Sequence, residues 1–407
     1  MRGGFGRYRD GSWLTPGLIR FASVTSLGLG TATLVALVAT ARGTLDAFGK
    51  PLGTDFTAFW SAGALALSGR APDAYDWGTL RAAQAALHGS DAFFPWSYPP
   101  TFFLVAAPLA ALPYLWALGL WVAATVLAAL AALRAVLPGR SVLLPALGCP
   151  VALACAMHGQ TAFLTAALLA GGVLCLRGRE TLAGVLFGLA SYKPHLGLLV
   201  PLALAAGGHW RALGGASATV LALVGLTLAI WDAEVWAAFL RSVPLTQAAV
   251  LDGGGPGFAK FQSAFAACRG WGASVPFAYA AQGAAALAAA GCCVLVWRSG
   301  ADGRLKGAVL LVGTLLASPY VLDYDGVVLA TGAAFLAAHG TEHGFRPWLA
   351  TAVAAAWVAP AVSPAVAGAF GVPLGLGVTA WVFGLAVRES LETGRVPSVA
   401  APGPVPA

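Results

Sequence analysis

Four short polar groups interrupt a sequence that is otherwise strongly apolar. They are Asp55, residues 158–160 (HGQ), residues 191–195 (SYKPH) and residues 318–325 (SPYVLDYD). A carboxylate can act as a general base, an ammonium binds anions, and tyrosine and amide groups bind hydroxyls. Polar side chains at membrane depth are costly, so such groups indicate a functional site or a buried structural pair.

Asp55 and His158–Gln160 each have two interpretations. Asp55 precedes an apolar stretch, so it is either the N-cap of a helix or a catalytic base. His158 and Gln160 lie either in a tight turn in interfacial water or in contact with substrate.

The other two groups carry more charge. Lys193 either snorkels to the surface or binds an anion such as a lipid phosphate, aided by the N-terminus of the half-helix that starts at Pro194. The last group either caps the following helix or binds the hydroxyls of a sugar; binding of a cation is a weaker alternative. Its polar members are Tyr320, Asp323, Tyr324 and Asp325.

Composition sets the class of protein. Of 407 residues, 59% are hydrophobic and only 10% are charged, whereas soluble proteins have roughly 25% charged residues. The chain is therefore an integral membrane protein. The net charge of +7 is spread over short loops, so no nucleic-acid partner is predicted. Motifs for nucleotide hydrolysis, zinc and redox chemistry are missing from the sequence, and neither a metal nor a cofactor is predicted.

Apolar segments predict an all-α bundle of about twelve helices, some of them half-length and kinked. An uncleaved first span is predicted at residues 18–41, and residues 182–207 are predicted to form two half-helices that meet near Lys193. Residues 101–112 form either a short helix that stops at Pro113 or a span. The remaining candidates are residues 113–136, 141–157, 159–176, 211–231, 276–297, 307–317, 326–338, 347–360 and 371–387.

Lys and Arg are more frequent in the loops assigned to the inside, which places both termini in the cytoplasm and the polar groups on the extracytoplasmic face of the plasma membrane. Long outer loops are predicted at residues 42–100 and 232–275. The first carries amphipathic interfacial helices, one of which starts at Asp55 and lies flat with its aromatics in the interface. The domains are residues 1–17 as the N-terminus, 18–388 as the membrane domain and 389–407 as a disordered cytoplasmic tail.

Motifs between residues 50 and 330 resemble, in order, those of glycosyltransferase family 87. They are DFxxFWxAG at 55–63, Gly69, AYD at 74–76, YPP at 98–100, GQ at 159–160, AGxxxG at 183–188, YKP at 192–194, SPY at 318–320 and DYD at 323–325. The resemblance implies a GT-C type fold and an inverting, metal-independent enzyme. It also implies a polyprenyl-phosphate sugar donor, typically of mannose, and a lipid or glycan acceptor.

The resemblance assigns roles to the polar residues. Asp55 is the expected base, although Asp323 or Asp325 remains an alternative. Lys193 stabilises the departing phosphate. The other expected donor or substrate contacts are His195, His158, Gln160, Tyr98, Trp60, Tyr320, Asp323, Tyr324 and Asp325.

Two other functions fit parts of the sequence. A transporter or flippase of a polar or lipid-linked solute also has broken helices and intramembrane charge. Such proteins usually contain repeated halves, and no internal repeat is found here. The hypothesis of a purely structural scaffold does not explain why the polar groups are predicted to lie on one face of the membrane.

Overall fold

A computed structural model of the protein describes residues 2–139 and 142–394. These residues form a bundle of helices without a β-strand, which confirms the predicted multi-spanning all-α fold. The α-helices are α1 Arg2–Asp10, α2 Pro16–Ala39, α3 Phe56–Leu67, α4 Trp77–His88, α5 Phe103–Ala110, α6 Tyr114–Val136, α7 Leu143–Leu147, α8 Pro150–His158, α9 Ala162–Cys175, α10 Glu180–Leu189, α11 Leu199–Ala206, α12 Trp210–Thr246, α13 Ala264–Gly270, α14 Val275–Arg298, α15 Gly303–Ala317, α16 Gly326–His343, α17 Leu349–Phe370 and α18 Leu374–Thr393.

Six of these helices are long and apolar enough to cross a membrane: α2, α6, α12, α14, α17 and α18. Helices α8 and α9 together are long and apolar enough for a seventh span, but the chain bends by 120° between them, as in a broken span or a re-entrant loop. Helix α12 is two helices joined at Asp232, where φ is 58°. The helices outnumber the predicted twelve because segments such as residues 141–157 break at glycine and proline.

The chain around Lys193 has the predicted form of two half-helices. Helices α10 and α11 are separated by two 3₁₀ turns, and Lys193 between them is non-helical with φ −117° and ψ 73°. Pro194 explains the break, because its ring disfavours a helical conformation at the preceding residue. Residues 101–112 likewise contain only the short helix α5, which ends before Pro113.

Helix α3 is buried, and the prediction that it lies flat in the membrane interface is wrong. Phe56 and Phe59 are 0% and 1% exposed, and the polar Thr57 and Ser61 are buried as well. A Cβ atom on Gly63 would collide with the backbone of α5, so the two helices are in direct contact. A helix that is buried on nearly every side is not an amphipathic surface helix, because it has no solvent-exposed face.

The amphipathic surface helix of this loop is α4. It buries Leu80, Gln84 and His88 along one side, and its other residues are exposed or partly exposed. Buried residues at intervals of four are the expected pattern for a helix that covers a core.

The bundle has two chemically different ends. Helices α15 and α16 are antiparallel, with Arg304 and Glu342 paired at one end and residues 318–325 connecting them at the other. The N-terminal segment lies at the ion-paired end, where the Trp348 N–H donates to the Arg9 carbonyl at 2.6 Å.

Helix α18 also finishes at the ion-paired end, where Glu389 pairs with Arg346 at 3.0 Å. The start of the predicted tail therefore belongs to α18, and residues 395–407 lie outside the described residues.

Candidate active site

Asp55 occupies the N-cap position of α3, but its carboxylate does not cap the helix. Instead, Oδ2 accepts a hydrogen bond from Gln160 Nε2 at 2.9 Å. The backbone N–H of Asp55 donates to the His158 carbonyl at 3.2 Å, which fixes the start of α3 against the α8–α9 turn. Within the described residues Oδ1 makes no hydrogen bond. The half-buried carboxylate is therefore anchored through one oxygen and free at the other.

Gln160 is held so that its NH₂ group faces Asp55. Its Oε1 accepts hydrogen bonds from the Thr161 backbone N–H at 3.0 Å and from the Tyr98 hydroxyl at 3.3 Å. An amide with two donors on its oxygen must point its nitrogen the other way. Gly159 makes this turn possible with φ 63°, and its carbonyl accepts a hydrogen bond from the Trp121 indole at 2.9 Å.

Tyr98 lies in a group of packed aromatic rings. It stacks on Phe102 with ring centroids 4.7 Å apart, and Phe59 meets it edge-on at 5.2 Å. Trp60 does not belong to this group, because its ring packs on Tyr114 and its indole N–H donates to the Leu112 carbonyl. Of the two predicted stacking residues, only Tyr98 lies beside Gln160.

Lys193 and Asp325 form a buried ion pair. Lys193 Nζ lies 2.8 Å from Asp325 Oδ1, and the two side chains are 5% and 1% exposed. Asp325 Oδ2 accepts a further hydrogen bond from the Leu322 backbone N–H at 3.1 Å. The protein itself thus supplies an anionic partner for Lys193. Asp325 also has a partner on each oxygen, so it is less available than Asp55 as a base.

The residues of the 318–325 segment line the space next to this pair. The Tyr324 ring lies 5.5 Å from Lys193 Nζ and 6.3 Å from the His158 ring. Tyr320 packs edge-on against the His195 ring at 5.5 Å. Asp323 is partly buried, and this burial raises the pKa of its carboxyl.

The two histidines differ in their hydrogen bonding. His158 Nδ1 lies 2.6 Å from the Thr54 hydroxyl, so it belongs to the same turn that anchors Asp55. His195 Nε2 is buried and has no hydrogen-bond partner among the described residues. Buried polar atoms are nearly always paired, so an orphaned nitrogen in a site indicates a place for a ligand or water.

The predicted residues come together from five parts of the chain. Hydrogen bonds join Tyr98 to Gln160 and Gln160 to Asp55, and the Tyr324 ring lies near both the Lys193–Asp325 pair and His158. We define the polar site as Asp55, Tyr98, His158, Gln160, Lys193, His195, Tyr320, Asp323, Tyr324 and Asp325. Trp60 is the predicted residue that packs elsewhere.

A groove of about 310 Å³ adjoins the polar site at Tyr320. It is lined by Ser97, Phe239, Ser242, Val243, Thr246, Gln247, Leu251, Tyr279, Pro319 and Tyr320. Most of these residues were not predicted, because the apolar run that forms α12 was expected to end at Trp231. The missed signal is the four-residue spacing of Ser242 and Thr246, which places two polar groups on one helix face.

Comparison with known protein families identifies the class of the chain. The model of glycosyltransferase family 87 matches residues 96–319, more than half of the sequence. The chain belongs to glycosyltransferase family 87. The matched region contains Tyr98, Gln160 and Lys193, whereas Asp55 precedes it and Asp325 follows it. The curated proteins and the solved structures give no match.

In this family 87 glycosyltransferase, Gln160→Ala should lower kcat by roughly tenfold to a hundredfold with little change in KM. If Asp55 is the base, as the sequence predicts, loss of the amide lets its carboxylate move, and small misplacements of a reacting group have effects of this size. Steady-state kinetics of sugar transfer measure the effect.

Gln282→Ala is the control, since this buried amide on α14 bonds the Phe265 N–H and the Leu316 carbonyl instead of Asp55. It should lower thermal stability but not kcat per folded enzyme. Equal kcat losses in both variants would mean that Gln160 has only a structural role.

Proposed function

We propose that this membrane glycosyltransferase transfers a hexosyl group, most simply mannosyl, from a polyprenyl-phosphate donor to a hydroxyl of a lipid or glycan acceptor. Transfer occurs with inversion on the extracytoplasmic face of the plasma membrane, with both termini in the cytoplasm. The observation that carries the proposal is the Asp55 carboxylate, which is held by Gln160 through one oxygen and leaves the other free.

Proton transfer is the role of Asp55. As the acceptor oxygen forms a bond to the anomeric carbon, the free Oδ1 takes the hydroxyl proton. The bond between the anomeric carbon and the phosphate oxygen breaks at the same time, on the opposite face of the sugar. The donor leaves as polyprenyl phosphate, which needs no proton because it already carries its charge. Asp55 then returns the proton to solvent.

Stabilisation of the leaving phosphate is shared among several groups. Lys193 is neutralised in part by Asp325, so its field at the phosphate is weaker than that of a free ammonium. His195 supports it, because its unpartnered Nε2 lies in the polar site and, as the N–H tautomer, donates to a phosphate oxygen. Hydroxyl groups of Tyr320 and Tyr324 are further donors nearby.

The groove next to Tyr320 suits an amphiphilic substrate. Its hydroxyl and amide groups, such as Ser242 and Gln247, match the hydroxyls of a sugar, while Phe239 and Val243 offer apolar surface to an isoprenoid chain. Sites for small ligands commonly combine a mostly apolar wall with a few polar groups that set orientation.

The test uses purified protein in liposomes with a crude lipid extract as acceptor. Radiolabelled mannose is supplied either on polyprenyl phosphate or on a nucleotide. We expect labelled product only from the polyprenyl-phosphate donor. Product from the nucleotide sugar alone would overturn the donor assignment. Movement of the labelled lipid between leaflets without any transfer would favour the flippase alternative.

A further inference from the structure

A second cavity lies at the ion-paired end of the bundle, away from the polar site. It encloses about 340 Å³ between the ends of α6, α9 and α14 and the start of α15. Its lining residues are Ala135, Val136, Val173, Leu174, Leu176, Arg177, His209, Trp297, Ala301, Gly303, Arg304, Lys306 and Phe335. Nothing in the transfer reaction uses this cavity.

The cavity wall is cationic. Arg177, Arg304 and Lys306 line it, and none of its described lining residues is acidic. Arg177 and Arg304 pair with the carboxylates of Asp302 and Glu342, and the lining His209 lies 2.7 Å from Glu180, so these side chains already have anionic partners.

Lys306 differs from the two arginines. It is half-buried, and no carboxylate of the described residues lies within 4.0 Å of its amine. A partly desolvated ammonium without an anion favours an anionic ligand.

The position of α15 adds to this preference. Gly303 and Arg304 are the first two residues of the helix, and both line the cavity. The positive end of the helix dipole therefore lies at the cavity, where it favours a phosphate group, and the N-cap Asp302, whose side chain makes no cap hydrogen bond, offsets only part of it.

The rest of the wall is apolar, which argues for an amphiphile over a small free ion. Leu174, Trp297 and Phe335 supply most of the large apolar side chains. Helices α6 and α14, two of the candidate spans, both end at this cavity. The ends of spanning helices lie at the depth of the lipid headgroups, so the cavity is placed where a headgroup enters.

We infer that this cavity binds the phosphate group of an anionic membrane lipid, with the acyl chains against its apolar wall. Lys306 is the principal ligand, and Arg304 and Arg177 contribute further positive charge. This site is independent of the sugar donor and of the proposed reaction.

The experiment measures lipid retention by native mass spectrometry of the full-length protein in mild detergent. Phosphatidylglycerol, phosphatidylcholine and inorganic phosphate are supplied separately. We expect retention of phosphatidylglycerol over phosphatidylcholine and no competition from millimolar phosphate. Lys306→Gln and Arg304→Gln should each weaken retention by roughly fivefold, the effect of one basic residue near an anionic surface.

Two matched controls remove the same charges from exposed positions. Arg298→Gln lies at the same end of the bundle but outside the cavity, and Lys50→Gln lies in the first long loop. Both should retain lipid like the unmodified protein, and Lys306→Arg should too. Equal losses in Lys306→Gln and Lys50→Gln would overturn the proposal. Displacement of the lipid by inorganic phosphate would show a site for a free anion instead.

Discussion

Asp55→Asn should abolish sugar transfer and leave the protein folded in the membrane. An amide at this position can still accept the hydrogen bond from Gln160, but it cannot take the proton of the acceptor hydroxyl. Loss of a general base typically lowers the rate by roughly 10²- to 10⁴-fold. The measurement is the initial rate of transfer from polyprenyl-phosphate mannose, with thermal unfolding recorded on the same preparation.

Asp91→Asn is the matched control, because this exposed carboxylate lies in the same loop and forms no ion pair with any residue that the structure describes. It should retain the unmodified rate and unfolding temperature. A normal transfer rate in Asp55→Asn would contradict the assignment of Asp55 as the general base. If that variant loses its thermal stability together with its activity, Asp55 serves the fold instead of the reaction.

Lys193→Met should destabilise the fold more than Asp55→Asn or Gln160→Ala. It leaves Asp325 buried, charged and without its 2.8 Å partner. Breaking a buried ion pair from one side typically costs about 3–5 kcal/mol. Asp325→Asn should also be destabilising, because it leaves the Lys193 charge without an anion, and the single amide oxygen can accept from only one of Lys193 and the Leu322 N–H. Thermal unfolding in detergent measures both variants.

The double variant Lys193→Met/Asp325→Leu separates stability from function. Replacing both partners by apolar side chains removes the unpaired charge, so stability should return close to that of the unmodified protein. Donor affinity should stay low if Lys193 also contributes to phosphate binding. Full recovery of donor affinity would limit the pair to a structural role. Lys50→Met, at an exposed position, should leave both stability and affinity unchanged.

Apolar runs of the sequence predicted where the spanning helices lie, although α12 and α17 extend 15 and 10 residues beyond their predicted ends. The ends of α2, α6 and α14 fall within two residues of the predicted bounds, because long hydrophobic segments are governed by membrane thickness. The break at Lys193 was predictable as well, since proline acts on its immediate neighbour.

Burial of α3 was not predictable from its residue pattern. In the sequence, Thr57 indicates a polar side of α3. In the structure, its hydroxyl forms hydrogen bonds with Tyr114 at 3.0 Å and His88 at 3.2 Å. Those partners lie 57 and 31 residues away. A polar residue that finds a distant partner is buried despite its type, and helical periodicity carries no information on such partners.

The polar site was predictable in its members but not in its internal pairing. Because charged side chains are costly at membrane depth, the sequence identified Lys193 and Asp325 separately as candidate site residues. Each was predicted to contact the substrate. Their pairing spans 132 positions and depends on how α15 and α16 pack. Gln160 was predicted to contact the substrate. In the structure it instead hydrogen-bonds to the Asp55 carboxylate and holds it in position.

The attachment of Asp55 to the α8–α9 turn has a consequence for how this enzyme can diversify. Its backbone N–H and the neighbouring Thr54 hydroxyl are both tied to His158, which belongs to the membrane-embedded bundle and not to the first long loop. The exposed residues of that loop can therefore change without moving the carboxylate, whereas Tyr98 at its end cannot, because the Tyr98 hydroxyl orients the Gln160 amide that holds Asp55.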